Sequence, residues 1–148
     1  MGSMVDEAVG RFGEEFNCAQ AVLGTYGPGL GLRAEEGFRV ATGFGGGSHI
    51  GGTCGAVTGA FMVLGLKYGN SVAAESEKKA QTYEKVAEFV EEFKRRRGAI
   101  GCAELLGCDI SRPEGMKEAR ERGLFREVCP GLVRDAAEIL EGMLEADE

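Results

Sequence analysis

The sequence predicts an all-α fold, a bundle of about four main helices with short helices between them. Apolar residues recur every three or four positions over long stretches, which is the period of a helix packed on one face. No segment alternates apolar and polar residues as a half-buried strand does. Since 148 residues are about one domain's worth, we predict a single helical domain over residues 1–148, with residues 1–3 interpreted as a cloning remnant.

The helices are predicted over residues 5–26, 33–42, 53–68, 71–97, 103–106 and 113–122, and from residue 129 onward. The segment 53–68 is apolar nearly all round and is therefore predicted to be the buried central helix. The segment 71–97 keeps Val72, Tyr83 and Phe93 near one face and ends in a basic run before Gly98, which favours a glycine C-cap.

Glycine is unusually frequent, with 25 residues. The glycine-rich segment 43–52 predicts a loop before the central helix, because each glycine loses much backbone entropy on ordering. Gly51, Gly55 and Gly59 are spaced four apart, so one face of the helix carries almost no side chain and another backbone can approach it closely. We expect close helix packing there, within the monomer or across a twofold axis, and we predict a homodimer.

Charge and hydropathy exclude some partners. The chain has 24 acidic and 17 basic residues and a net charge of −7, which disfavours nucleic acid and anionic membranes. The uncharged stretch 50–66 is almost membrane length, but its strongly apolar part is only about a dozen residues, so no membrane span is predicted. No secretory signal is visible at the N terminus, and a cytoplasmic location is expected.

Five cysteines are the candidate functional residues: Cys18, Cys54, Cys102, Cys108 and Cys129. An odd number of cysteines without an export signal favours reduced, metal-bound or catalytic thiols over a disulfide framework. No pair forms CxxC and no CxxCH is present, so a thioredoxin-type dithiol, a zinc ribbon and haem attachment have no sequence signal.

Three of the cysteines are predicted to lie at helix N-termini, namely Cys54, Cys102 and Cys129. There the unpaired backbone N–H groups and the helix dipole stabilise a thiolate. Cys18 is placed in the middle of the first predicted helix and could face the same site. We interpret these four as functional rather than as small buried apolar residues, and Cys108 as the weakest member of the group.

The sequence around four of these cysteines forms a pattern: FNCAQAVL at Cys18, GGTCGAVTGAFMVLGLKYG at Cys54, GCAELLG at Cys102 and VCPGLV at Cys129. The chain resembles the C_GCAxxG_C_C family, which is described as redox-active, over nearly its whole length. Thr53-Cys54-Gly55-Ala56 departs from the Gly-Cys-Ala of the family label, and Cys108 is extra to the pattern. The resemblance implies a cysteine-based function without fixing the reaction.

A similar helical segment occurs in split-Soret cytochromes, where such cysteines hold an iron–sulfur centre beside the haems. Because haem-attachment motifs are absent here, only the cluster part of that similarity carries over. The first hypothesis is accordingly that Cys18, Cys54, Cys102 and Cys129 ligate an iron–sulfur cluster for electron transfer to an unknown redox partner. Backbone N–H groups of Gly51, Gly52 and Gly55 are predicted to contact such a cofactor.

Two other hypotheses stay open. One is a thiol–disulfide oxidoreductase in which a helix-N-terminal cysteine attacks and another resolves, with Cys54 and Cys129 as candidates. The other is a structural zinc site or a helical adaptor without a redox role. For His49, the single histidine, we prefer a plain loop residue to a metal ligand or an acid–base partner for a thiol.

Overall fold

A computed structural model describes residues 3–14 and 16–147 of the chain. Within these ranges the protein is a bundle of helices without a strand, so the predicted all-α fold is confirmed. Residues 1 and 2 of the interpreted cloning remnant lie outside the described residues. The α-helices are α1 (Met4–Phe12), α2 (Cys18–Tyr26), α3 (Ala34–Ala41), α4 (Gly55–Tyr68), α5 (Ser76–Arg97), α6 (Cys102–Leu106), α7 (Pro113–Glu121), α8 (Leu124–Glu127) and α9 (Cys129–Ala146).

The first predicted helix is in fact two helices. α1 ends at Phe12, and α2 begins at Cys18. Asn17 starts α2, because its side-chain oxygen accepts a hydrogen bond from the Gln20 N–H while the Gln20 side chain accepts one from the Asn17 N–H. The placement of Cys18 in the middle of a helix is therefore wrong, since Cys18 is the first residue of α2.

The buried central helix is α4, as predicted. Its side chains Val57, Val63 and Leu64 have no exposed surface. α4 packs most extensively on α2, and it also contacts α5 and α9, while α1 packs on α2 and α9. The core of the molecule thus lies where α2, α4 and α9 meet.

The glycine face of α4 packs against α2 within the monomer. A Cβ atom added to Gly59 would lie 3.0 Å from the carbonyl oxygen of Ala19, and one added to Gly55 would lie 3.1 Å from the Ala19 nitrogen. Gly51 lies ahead of α4, in a turn with a φ of +69°. Of the two predicted uses of this face, the structure shows the intramolecular one, and the homodimer stays a prediction.

The long helix α5 is packed over only part of its length. Its end is as predicted, with Gly98 in the left-handed conformation and its N–H donating to the Lys94 carbonyl oxygen. Phe93 is fully buried, but Tyr83, which the sequence places on the same apolar face, is 64% exposed. The N-terminal half of α5 therefore extends away from the core, because little of the bundle lies opposite it.

The shorter elements agree with the sequence in most places. α3, α6 and α7 lie within a residue or two of their predicted bounds, and α9 begins at Cys129 as predicted. The short helix α8 was not predicted. Among the described residues, none of the helices combines the length and the apolar character that a membrane span requires.

The contact between α2 and α4 can be tested by adding a side chain to the glycine face. Gly59→Leu forces a side chain into the backbone of Ala19, so we expect it to lower the free energy of unfolding by about 1–3 kcal/mol. Gly65→Leu is the matched control, since a Cβ atom at Gly65 meets no atom within 4 Å. Urea denaturation measures both, and equal losses of stability would contradict the packing described here.

Candidate functional site

Four of the cysteines lie on the wall of one partly open pocket of about 210 Å³. They are Cys18, Cys54, Cys102 and Cys129, all of them buried. We call this site the cysteine pocket. The rest of its wall is mostly apolar and includes Phe12, Leu106, Ile110, Met116, Phe125 and Leu132. The structure thus brings together the four cysteines of the sequence pattern, whereas the partly exposed Cys108 is not part of the wall.

Each cysteine of the pocket stands at the start of a helix. Cys18, Cys102 and Cys129 are the first residues of α2, α6 and α9, and Cys54 is the N-cap of α4. The sequence predicted three of these positions, and the structure adds Cys18. Because the positive ends of helix dipoles meet at the pocket, they favour negative charge on its sulfur atoms.

A short backbone bridge holds two of the cysteines side by side. Thr53 and Gly101 form an isolated antiparallel bridge. The Cys54 N–H donates to the Ile100 carbonyl oxygen, and the Cys102 N–H donates to the Gly52 carbonyl oxygen, each over 2.7 Å. These two bonds fix the start of α4 against the start of α6, so the spacing between the two cysteines is set by the main chain.

Cys18 is the thiol that connects the others. Its thiol interacts with those of both Cys129 and Cys54, and these interactions, together with burial, raise the pKa of Cys18. The interaction with Cys18 is the main cause that lowers the pKa of Cys54, with the amides of Ala56 and Val57 at the start of α4 adding to it. A separate interaction with Cys18 is the main cause that lowers the pKa of Cys129. Negative charge is thus more favourable on Cys54 and Cys129 than on Cys18.

Cys102 behaves differently from these three thiols. Burial raises the pKa of Cys102 to about 12, and negative charge on Cys54 and Cys129 acts in the same direction. At neutral pH, Cys102 therefore keeps its proton unless a group in the pocket binds its sulfur atom.

The cysteine pocket fits an iron–sulfur cluster in the number and kind of its donors, since four cysteine thiolates are the usual ligands. Within residues 3–14 and 16–147, no three His, Cys, Asp or Glu side chains are grouped so that they could hold one metal ion. Cluster ligands are shared among several iron atoms, so they do not need to converge on one point.

The predicted glycine loop is a tight left-handed turn. Gly46, Gly47, Ser48, His49 and Gly51 all have φ between +60° and +69°, and the Gly52 N–H donates to the Gly47 carbonyl oxygen over 2.9 Å. Only glycine fits at position 47, because a Cβ atom there would lie 2.5 Å from the backbone of Gly52. Non-glycine residues in this conformation are strained and occur mostly where the surroundings hold them.

The three glycines that were predicted to contact a cofactor, Gly51, Gly52 and Gly55, lie in different surroundings. Gly55 lies on the wall of the cysteine pocket, while Gly52 acts through its carbonyl oxygen, which holds Cys102. Gly51 packs against the carboxylate of Asp109 instead. Gly45 and Gly46 lie on the wall and were not singled out, because the sequence distinguishes them in no way from the other glycines of the loop. His49 also borders the pocket, with an exposed side chain.

The strain in the turn can be measured. Ser48→Gly removes the strain of a non-glycine residue at a φ of +60°. Glycine also has greater freedom in the unfolded chain, which offsets part of this gain, so we expect the free energy of unfolding to rise by about 0.5–1 kcal/mol. Gly47→Ala should have the opposite effect, a loss of about 2 kcal/mol or more, because its Cβ atom meets the Gly52 backbone. Urea denaturation gives both values. A loss of stability in Ser48→Gly would contradict the left-handed turn.

The comparison with known families agrees with the pattern of the cysteines. Residues 16–143 match the family described as "Putative redox-active protein (C_GCAxxG_C_C)". Neither the curated proteins nor the solved structures include a match to the chain. Because the match spans most of the chain and includes all four cysteines of the pocket, the chain belongs to the C_GCAxxG_C_C family.

Proposed function

We propose that Cys18, Cys54, Cys102 and Cys129 hold an iron–sulfur cluster and that the protein is an electron-transfer protein. The observation that carries this proposal is that four cysteines from four separate helix starts line one pocket. When bound, such a cluster takes up and releases electrons at a potential that depends on its ligands and surroundings.

The size and lining of the cysteine pocket support an occupant of several atoms. Protein interiors are close-packed and have few voids larger than a water molecule. The pocket has a volume of about 210 Å³, and its wall is mostly apolar apart from the thiols. Ordered water needs two to four polar partners, and besides the thiols the described part of this wall has only two polar side chains, those of Asn17 and His49. A cluster with four covalent ligands would fill this space and satisfy the sulfur atoms.

The electrostatic surroundings favour a negatively charged occupant. A cluster bound by four thiolates places negative charge in the interior of a chain whose net charge is already −7. The amides of Ala56 and Val57 at the start of α4 face the sulfur of Cys54, and the positive ends of the dipoles of α2 and α9 also lie at the pocket. Burial of the thiolates is therefore offset by the main chain, since no lysine or histidine is buried among the residues that the structure describes.

Reconstitution without oxygen tests the cluster. The purified protein is supplied with ferrous iron and sulfide, and bound iron, bound sulfide and visible absorption are measured. Cys18→Ser, Cys54→Ser and Cys129→Ser each remove a proposed ligand, so we expect the affinity for iron to fall by about 10–100-fold or more, because loss of a group that only orients a ligand already costs that much. Cys108→Ser is the matched control, because Cys108 is partly exposed and lies off the pocket wall, and it should bind iron as the unchanged protein does.

Two results would contradict the cluster. One is an unchanged protein that folds normally yet binds no iron and sulfide without oxygen. The other is loss of iron in Cys108→Ser to the same extent as in the pocket variants. Circular dichroism of each variant separates loss of a ligand from loss of the fold.

A second candidate function rests on the contacts of Cys18. Because the buried Cys18 thiol shares the pocket wall with Cys54 and Cys129 and interacts with both, we infer that it can form a disulfide with either. In that reaction a low-molecular-weight disulfide is reduced to two thiols, and the two protein thiols lose two protons and two electrons as their S–S bond forms. The protein would then be a thiol–disulfide oxidoreductase in which Cys18 pairs with one of two alternative partners. This refines the predicted pair Cys54 and Cys129, each of which meets Cys18.

Oxidation of the iron-free protein tests this candidate. After treatment with oxidised glutathione, peptide mapping by mass spectrometry should find Cys18–Cys54 or Cys18–Cys129 as the main disulfide. Cys18→Ser should reduce pocket disulfides by about tenfold or more, since the shared partner is gone. Cys108→Ser is again the control. A dominant disulfide between Cys54 and Cys129, or none within the pocket, would rule this candidate out.

A further inference from the structure

An open groove at the surface adjoins the cysteine pocket. Its volume is about 490 Å³, within the range of about 300–1,000 Å³ that small-molecule sites occupy. The end of α1, the short helix α8 and the start of α9 form its wall, with the residues Val9, Phe12, Gly13, Phe125, Arg126 and Pro130. The size of this groove, which we call the outer groove, suits a small molecule.

The outer groove and the cysteine pocket share two aromatic side chains. Phe12 and Phe125 belong to the walls of both cavities. Pro130 on the wall of the outer groove directly follows Cys129, which lines the cysteine pocket. A molecule in the outer groove would therefore contact the same two phenylalanines that border the four thiols.

One charged side chain borders this otherwise apolar groove. Among the wall residues that the structure describes, only Arg126 carries a charge, and its acidic neighbour Glu127 is not part of the wall. A guanidinium pairs well with planar or tetrahedral oxyanions such as carboxylate and phosphate. An apolar floor with one exposed cation is complementary to a ligand that has an apolar body and one anionic group.

The aromatic wall favours a flat ligand. Phenyl side chains stack on other aromatic rings or pack against their edges, which adds to the gain from burial. The six wall residues are far fewer than the about 20–30 residues that each side of a stable protein interface supplies. The outer groove therefore fits a planar small molecule better than a protein partner.

The cysteine pocket itself does not admit such a molecule beside a cluster. Its volume of about 210 Å³ lies below the range of small-molecule sites, and its four cysteines are buried. Electron transfer does not require the two partners to touch, because electrons can cross a layer of side chains. A carrier in the outer groove would be separated from the cysteine pocket by such a layer, formed by Phe12 and Phe125.

We propose that the outer groove binds a planar anionic electron carrier, such as a quinone with an acidic group, that exchanges electrons with the cysteine pocket across Phe12 and Phe125. The binding site stands on the wall of the groove alone, whereas the exchange rests on the proposed cluster. In the exchange, one hydroquinone becomes a quinone by releasing two electrons and two protons. The electrons reduce the clusters of two protein molecules, the protons go to water, and no bond to the protein forms.

The first experiment measures binding to the reduced, metal-free protein. Naphthalene-2-sulfonate is a redox-inert probe with the required shape and charge, and calorimetric titration should find one site per chain. Arg126→Gln should weaken binding about 1.5- to fivefold, as expected for an exposed ion pair. Arg122→Gln is the matched control, because Arg122 is also exposed but pairs with Glu118 on α7 and lies off the groove wall. It should leave the affinity unchanged.

A blocking variant tests the location of the site. Gly13 has a φ of −73°, and a Cβ atom there would make an ordinary contact of 3.4 Å with the Gly10 carbonyl oxygen. Gly13→Leu therefore adds a side chain to the groove wall without backbone strain and should weaken binding about tenfold. Gly10→Leu is the control on the same helix, since its Cβ atom meets no atom within 4 Å and Gly10 lies off the wall.

Thermal denaturation shows whether both leucine variants keep the fold, so that a lost site is not mistaken for a lost structure. Equal affinities in Gly13→Leu and Gly10→Leu would overturn the proposal. So would a protein that does not bind the probe at millimolar concentration.

The second experiment follows electron exchange in the reconstituted protein without oxygen. Reduced anthraquinone-2-sulfonate supplies the electrons, and the change in visible absorption gives the rate. Gly13→Leu should raise the carrier concentration for half-maximal rate about tenfold relative to Gly10→Leu, because it weakens binding of the carrier. Dithionite, a small reductant that needs no groove, should reduce both variants at the same rate.

The two experiments separate the outer groove from the proposed function. If no variant binds iron, the cluster fails while the titrations still decide whether the groove is a binding site. If iron is bound but the two leucine variants are reduced by the carrier alike, the proposed function stands and exchange across the outer groove is refuted.

Discussion

The cysteine pocket depends on the close contact between α2 and α4. The two backbones approach each other because Gly55 and Gly59 present no side chains to Ala19. A Cβ atom at Gly55 would lie 3.2 Å from the Cβ atom of Cys18, so the close contact extends to the residues where the two cysteines stand. Any larger residue at these glycines would separate the starts of the two helices. The same packing that buries the core therefore also brings the thiols of Cys18 and Cys54 into contact.

The remaining parts of the pocket are held by the main chain. The bridge between Thr53 and Gly101 joins the starts of α4 and α6, and the left-handed turn is closed by the bond from the Gly52 N–H to the Gly47 carbonyl oxygen. Strained residues such as Ser48 persist only where the surroundings over-determine their conformation. Here the surroundings are the bridge and the tightly packed Gly47. The strain is thus part of the arrangement that keeps Cys102 against Cys54.

The sequence predicted the helices that follow from apolar periodicity, and it failed where contacts between distant segments determine the structure. The apolar period located the buried helix α4 and the start of α9 at Cys129. The same period predicted one continuous helix across the break after Phe12, because α1 and α2 both present apolar faces to the core. The local signal that α2 starts anew is the capping pair of Asn17 and Gln20. The isolated backbone bridge between Thr53 and Gly101 leaves no periodic pattern in the sequence. The family resemblance selected the four cysteines that line the cysteine pocket. That Cys18 interacts with both Cys54 and Cys129 follows only from the packing of the helices.

The way in which the pocket balances charge suits a redox role better than a purely structural one. The starts of helices are usually satisfied by polar side chains or water, and Asn17 supplies such a cap for α2. Here buried thiols also lie at the starts of α2, α4 and α9, and backbone amides face the sulfur of Cys54. Dipoles of the main chain are fixed before any charge arrives, so little reorganisation follows when the charge of the pocket changes. A site that gains and loses electrons benefits from this arrangement in each cycle, since both charge states are then held in the same packing.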